Sequence, residues 1–426
     1  MDALRLLHFA DLHLGVEALG RPNSSSGLNQ RIHDVCDRLD EVCATVEQDG
    51  VHAVLFAGDA FMNPRPSPTL QKLFAERIRR IVDAGAGVFL LVGNHDLPKM
   101  AGIAHPHSIY TALDVDGVVV GDRAKVYGVR AGDLELQVAA LPHFSRAQVT
   151  AQLPEGTDPA VHIEQQLSER IRAVGRQIDP ALPSVFAGHC HVSNAQIGAG
   201  QTLFNVSDVE VSLSTLTTDQ PFPYYALGHV HGRQVLLDDP FVAYSGSLER
   251  VDFGEGDEFV VTNRAVTHKR ADPKGLFRFD LVHDAGSWRL AGAPEFRPVD
   301  ARRFITLRMG RLGAEDPMAD LERYIVRARD AGFDAHDAFV CLAGTIDAAD
   351  RRRVTSSAAR SLLEEAYDVR LALDVADHAV VRDPRFAERM SELEALERYV
   401  ETRDDWADDR DELLRLGREL VSEVIG

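Results

Sequence analysis

No uninterrupted apolar run in the 426 residues approaches the roughly 20 that a membrane-spanning helix needs, which argues against insertion into a membrane. Cysteine is scarce. Cys36, Cys43, Cys190 and Cys341 are scattered without any C-x-x-C pair, so neither a zinc ribbon nor a disulfide framework is expected, and reduced thiols are. Cys36 and Cys43 fall on one helical face and read as core. A G-x-x-x-x-G-K-[ST] loop is also missing, so any dependence on ATP must come from another chain. Positive charge is in deficit, with 46 Lys and Arg against 66 Asp and Glu and a formal net charge of −20. Nonspecific duplex binding relies on Lys and Arg neutralising phosphates. A nucleic acid partner would therefore need a local basic strip, or a positive field from metals or another protein chain. The N-terminus runs straight into strand-like Leu4 to Ala10 without a basic leader or cleavage site, so the expected compartment is the cytoplasm.

What is present is an ordinary globular composition, 45% hydrophobic and 26% charged, in a chain long enough for two or three domains. The first hundred residues alternate strand and helix signals. Ile32, Val35, Leu39, Val42 and Val46 recur at helical spacing and Asp49-Gly50 closes that helix. The apolar run Ala53 to Ala57 ends at Gly58-Asp59. Ser67 and Pro68 then supply an N-cap and a first helical position for a second helix, followed by a third strand, Val88 to Val92, that ends at Gly93-Asn94-His95-Asp96. This βαβαβ order predicts a parallel sheet with right-handed crossovers.

Each of these strands is continuously apolar and is followed at once by Asp, His or Asn. Ser184 to Gly188 runs into His189, and Tyr224 to Gly228 runs into His229-Val230-His231. Ligands of α/β sheets bind at the carboxyl ends of strands, so five strand ends are expected to converge on one site. Asp11-Leu12-His13 offers a carboxylate and an imidazole on one side of an extended turn, and Asp59 adds a second carboxylate. A lone D-x-H is common by chance and a G-D pair is usually only a turn. Gly93-Asn94-His95-Asp96 and Gly228-His229-Val230-His231, each directly after a buried strand, have little structural use. Oxygen and nitrogen ligands without cysteine suit Mn²⁺, Fe or Zn²⁺, and a bridging carboxylate would hold two ions about 3.5–4 Å apart.

These residues resemble the calcineurin-like metallophosphoesterases, through Asp11-x-His13, Gly58-Asp59, Gly93-Asn94-His95-Asp96, His189 and Gly228-His229-x-His231. Within that superfamily the chain is similar to the SbcD family, the nuclease subunit of a double-strand-break repair complex that also contains an SMC-like ATPase of the SbcC type. The narrower resemblance rests on Asn63 to Ser67, Asn94 to Pro98, Tyr225 to Gln234 and Tyr244 to Glu255. Beyond about residue 255 it is one of layout. The resemblance implies an α/β fold: a metallophosphoesterase β-sandwich flanked by helices (1–298), a small α/β capping domain (299–378) and a C-terminal helical hairpin (379–426) that docks the partner. It implies that Asp11, His13, Asp59 and His231 hold one metal and that Asp59, Asn94, His189 and His229 hold the other, with Mn²⁺ in both places. His95 would protonate the leaving 3′ oxygen and Asp96 would orient its ring. The implied activity is a Mn-dependent 3′–5′ exonuclease and single-strand or hairpin endonuclease. It would act in a homodimer, on DNA, in the cytoplasm at the nucleoid. The alternatives are a phosphoesterase for small nucleotides or phosphoproteins, and a mainly structural subunit that bridges DNA ends.

Several positions carry open readings. Gly188-His189-Cys190-His191 imitates the Gly228 to His231 pair, and His189 is favoured over His191 because it directly ends the apolar strand. His52, His105, His107 and His143 lie outside the motifs and read as surface or core histidines. Met62 stands where relatives often carry a polar residue near the metals. Phe259 to Pro273 reads as an insertion rich in Arg, Lys, Thr and His, a solvated loop in preference to a DNA-contacting one. From residue 300 a small α/β module is expected, with a helix over Arg352 to Ala366. Pro384 to Gly426 is expected to form two amphipathic helices.

Overall fold

The computed structural model describes residues 3–98, 100, 102–144, 157–197, 209–313, 315–376 and 412–416. The hairpin expected over Pro384 to Gly426 lies outside the described residues, apart from 412–416, which are helical.

Strand β1 (Leu4–Phe9), helix α1 (Gln30–Asp49), β2 (Ala53–Phe56), α2 (Pro68–Asp83) and β3 (Gly87–Leu91) follow the order expected from the apolar runs. Both helices start where local chemistry permits. Asn29 caps α1 by accepting from the Arg31 N–H, Ser67 caps α2 by accepting from the Leu70 N–H, and Gly50 closes α1 in the left-handed region. The three strands and Val118–Gly121 pair in parallel, and Gly275–Asp284 adds to the free edge of β1 antiparallel.

Alternation along the strands divides two cores. Leu7, Phe9, Val54, Phe56, Val88 and Leu90 face outward onto α1 and α2. Leu4, Leu6, Ala53, Leu55, Phe89 and Leu91 face inward and pack on a second six-stranded sheet. That sheet runs in the order Gln234–Asp238, Phe241–Tyr244, Tyr224–Gly228, Ser184–His189, Leu134–Leu141, Val126–Ala131. Its far face is covered by the helix Pro159–Gly175 through Ile163, Leu167, Ile171 and Val174. The result is a β-sandwich flanked by helices. Truncating an inward phenylalanine such as the fully buried Phe89 would cost about 3–5 kcal/mol.

A third sheet, ordered Val266–Lys269, Asp257–Val261, Phe304–Arg311, Phe339–Asp347, Asp368–Ala376, forms the small α/β unit. Its helix Pro317–Asp330 is capped by Asp316 and buries Leu321, Tyr324, Ile325 and Ala328 against the sheet. Two expectations are corrected here. Phe259 to Pro273 is not a loop but mostly a hairpin, whose strand Asp257–Val261 pairs in parallel with Phe304–Arg311. The chain thus enters the capping sheet at residue 257, returns to the sandwich at Gly275 and leaves it again after Pro298. The single helix expected over Arg352 to Ala366 is broken into a 3₁₀ turn, Arg351–Arg353, and the helix Ser356–Ser361. Val354 turns into the core with extended backbone, and Thr355 starts a new helix by accepting from the Ala358 N–H.

The sandwich and the small unit are joined by buried ion pairs. The Arg302 guanidinium donates to both Asp34 carboxylate oxygens at 2.8 Å, and its backbone N–H donates to Glu249 at 3.0 Å. Arg31, fully buried, lies over the Phe304 ring at 5.0 Å and faces Asp34 and Glu249 at 3.8 and 4.0 Å.

Candidate metal centre

The turns after β1 and β2 are zipped together by backbone hydrogen bonds: Asp11 N–H to Gly58 O, Leu12 and His13 N–H to Asp59 O, and Leu14 N–H to Ala60 O, all 2.9–3.0 Å. Asp11, His13, Asp59 and His229 all adopt positive φ, at 53°, 47°, 60° and 99°. Left-handed backbone costs a side-chain-bearing residue about 1–3 kcal/mol, and such residues cluster where function demands it. Glycines permit the close approach. A Cβ on Gly58, itself at φ +101°, would lie 2.3 Å from His189 Nδ1, and one on Gly228 would lie 2.1 Å from the Ala57 carbonyl.

Seven residues anticipated from the motifs meet at this rim. His13 and His231 approach through their Nε2 atoms at 2.9 Å, and His13 Nε2 is 3.8 Å from Asp59. On the other side of Asp59, His189 Nε2 lies 3.3 Å away. Asn94 Oδ1 is 2.9 Å from His189 Nε2 and 3.1 Å from His229 Nδ1. Asp11 accepts the His229 N–H with both carboxylate oxygens, at 3.0 and 3.1 Å. Donor atoms of Asp11, His13 and His231, and likewise of Asp11, Asp59 and His189, fall within 4.8 Å of one another. Asp11 is common to both groups, and Asp59 stands between the His13 and His189 rings, 3.8 Å from one and 3.3 Å from the other.

The hydrogen bonds around the cluster show what it is suited to hold. His189 Nδ1 faces the Ala57 carbonyl at 2.7 Å, which can only accept, so Nδ1 carries a proton. In the neutral ring, Nε2 then points a lone pair at the Asn94 and Asp59 oxygens. His231 repeats the arrangement. Its Nδ1 is 2.9 Å from Glu255, which turns its Nε2 lone pair toward His13. At His189, lone pairs facing lone pairs in a buried site require a cation or an added proton. Mixed oxygen and imidazole donors without sulfur fit Mn²⁺, Fe or Zn²⁺.

Electrostatics agree. Burial disfavours the Asp59 carboxylate, but His189 and His13 beside it more than reverse this and hold it well below the usual carboxylate range. Burial lowers His189, and Asp59 outweighs that to bring it to about 9. His229, buried and next to His189, is pushed down to about 2. Asp11, taken out of water, rises to about 6.

His95 donates its backbone N–H to Asp59 Oδ1 at 2.8 Å, and its ring sits edge-on to His13 with centroids 4.7 Å apart. Its Nδ1 is held by the Met62 carbonyl at 3.0 Å. Asp96 does not orient this ring, contrary to expectation. Fully buried, it accepts backbone N–H groups from Asp59, Phe61 and Gly93 at 3.1–3.3 Å and lies 3.3 Å from His107 Nε2. Asp96 therefore shapes the Asp59 turn. Met62 matters through its carbonyl.

Three other residues were not anticipated. Glu255 is buried with His231 on one side and Lys274 Nζ 2.5 Å away on the other; burial opposes its charge, but Lys274 and His231 prevail and hold it well below the ordinary range. Lys274 also donates to Ser247 Oγ and to the His231 carbonyl. His143, read from sequence as an ordinary histidine, places its ring 6.2 Å from that of His229 and 6.3 Å from that of His189. His191 pairs with Glu210 in a short parallel ladder and is not a member of the donor groups found among the described residues.

Comparison with known proteins agrees with this architecture. The chain is 27% identical over 258 residues to the SbcD component of the SbcCD nuclease of Bacillus subtilis, an alignment covering 59% of this chain and 63% of that one. It is 29% identical over 258 residues to the DNA double-strand break repair protein Mre11 of Aeropyrum pernix, covering 58% and 53%. With the Mre11 protein of Archaeoglobus fulgidus it shares 24% identity over 361 residues, covering 84% and 72%. The first two alignments thus span less than two thirds of those relatives' length. Residues 4–233, more than half the chain, match the calcineurin-like phosphoesterase family as a whole, and this chain belongs to it.

Proposed function

We propose that the chain is the nuclease component of an SbcD/Mre11-type DNA repair complex, a phosphodiesterase that uses two Mn²⁺ ions, with iron or zinc as alternatives. The observation that carries this reading is the placement of Asp59 between the His13–His231 pair and the His189–Asn94 pair, 3.8 Å from His13 and 3.3 Å from His189. Asp11, His13, Asp59 and His231 would hold one ion, and Asp59, Asn94, His189 and His229 the other. When bound, two such ions lower the pKa of water and clamp the oxygens of an in-line displacement at phosphorus.

The chain's own residues supply the rest. The low-pKa carboxylate of Asp59 keeps its charge at neutral pH and so holds both clusters to one centre. Met62 fixes His95 so that Nε2 is left to act, and a proton on that nitrogen passes to the departing 3′ oxygen. His143 adds an imidazole that burial lowers to about 4, so at neutral pH it lines the rim as an uncharged group.

The relatives' names point to DNA as the substrate, and the activity proposed is 3′–5′ exonuclease with endonuclease action on single strands and hairpins. An SMC-like ATPase of the SbcC type is the proposed partner, engaged through residues 384–426, in the cytoplasm at the nucleoid. A homodimer has a surface available where exposed Ile109 and Leu113 border a groove against α2.

Labelled duplex, hairpin and small phosphodiester substrates, incubated with Mn²⁺ and either the natural protein or His95→Ala, test the reading. Cleavage of DNA that the substitution abolishes supports it. Cleavage of the small diester alone would transfer the chain to the phosphoesterases of small substrates.

A further inference from the structure

Next to His231 a cleft of about 470 Å³, a size typical of ligand sites, opens between the turn that follows Gly228 and the segment leading out of the 257–269 hairpin. Its walls carry Arg233, Lys269, Arg270 and Lys274 against only two carboxylates, Glu255 and Asp272. In a chain of net charge −20 this is a local reversal of sign.

Much of the chain's arginine is committed to carboxylates, as in the Arg302–Asp34 and Arg80–Glu47 pairs. In the cleft only Lys274 is so engaged, with Glu255. Arg233, Lys269 and Arg270 have no carboxylate within 4.0 Å among the described residues. Arg233 is the most informative of them. Its guanidinium is held over the Phe296 ring at 4.6 Å, and its Nε is buried with no hydrogen-bond acceptor. A guanidinium held over a ring at the wall of a cleft, with no carboxylate beside it, is matched by a phosphate, which accepts from more than one N–H of the fork.

We propose that this cleft seats a backbone phosphate of the nucleic acid strand adjacent to the linkage being cut, with Arg233 as its fixed donor and Lys269 and Arg270 as mobile cations. The inference rests on the nuclease reading and adds to it a reason for preferring polynucleotides over small diesters. A strand crossing the metal centre reaches the cleft at His231, whereas a small diester ends before it.

The experiment compares the full-length protein with a Lys269→Glu/Arg270→Glu double variant, both positions being exposed, and separately with Arg233→Lys. Two substrates are used with Mn²⁺: a labelled single-stranded 12-mer and bis(p-nitrophenyl) phosphate. Binding of the 12-mer is measured across a salt series by anisotropy in a His95→Ala background. The ratio of kcat/KM for the 12-mer to that for the small diester should fall about 10-fold or more in the double variant. The slope of log binding constant against log salt should shrink by about 0.7, the worth of one phosphate contact on a single strand. Arg233→Lys, which keeps the charge but loses the fork, should lower the same ratio while preserving most of the slope. An unchanged ratio and slope in the double variant would overturn the cleft proposal and leave the nuclease reading intact. Hydrolysis of the small diester with neither binding nor cleavage of the 12-mer by the natural protein would overturn both.

Discussion

His95 is oriented by a backbone atom: its Nδ1 lies 3.0 Å from the carbonyl of Met62, four residues from the Gly58 turn that positions the metal cluster. The turn carrying Asp59 therefore also sets the ring of the proposed acid. Because the contact uses the main chain, Met62→Leu should leave turnover close to that of the natural protein. His95→Ala should lower kcat by about 10²–10⁴-fold, the usual worth of a positioned general acid. One ring nitrogen of His95 also falls within 4.8 Å of donors from His13 and Asp59. Metal content separates the two roles. Two Mn²⁺ per chain should remain in His95→Ala, and loss of an ion would make His95 a ligand.

Asp96 behaves differently. It accepts N–H groups from both the Asp59 and the Gly93 turns in a fully buried position, so Asp96→Ala would leave several donors unpaired. A cost of about 3 kcal/mol or more is expected, with weaker metal binding as the Asp59 turn relaxes. Thermal unfolding and Mn²⁺ titration read these effects. A variant of unchanged stability that lost only kcat would return Asp96 to a role on the His95 ring.

Glu255 is a positioning residue for His231. Partners that orient a ligating histidine are typically worth 10–100-fold in metal affinity. Glu255→Gln keeps the shape but removes the charge that Lys274 balances, and Mn²⁺ affinity at the His13–His231 cluster should fall by about that factor. A titration showing one weakened and one normal site would agree. Two unaltered sites would not.

The sequence made the first hundred residues nearly transparent, because strong local signals coincide there. Ser67 before Pro68 and Gly50 after Asp49 start and stop helices by chemistry that tertiary packing had no reason to override. The rule that polar groups following apolar strands converge brought together the residues from Asp11 to His231. It missed His143, which also follows an apolar strand, because Pro142 separates it from Leu141 and no motif flags it. Asp96 was misassigned since adjacency in sequence says nothing of where two neighbouring side chains point in a turn. The 257–269 hairpin looked like a loop because Phe259 and Val261 alone of its residues are buried, too few to register as a strand pattern. Glu255 and Lys274 lie 19 positions apart, and their pairing exists only once the chain has visited the third sheet and returned.

A dinuclear centre bridged by Asp59 is what the proposed chemistry depends on, and the most direct test counts metal ions in Asp59→Asn. The natural protein, freed of metal and titrated with Mn²⁺ by calorimetry, should bind two ions per chain. Asp59→Asn, which keeps the side-chain shape but removes the shared charge, should lose measurable binding at both clusters together. Two ions still bound with natural affinity, or the loss of one with the other untouched, would contradict the shared role of Asp59.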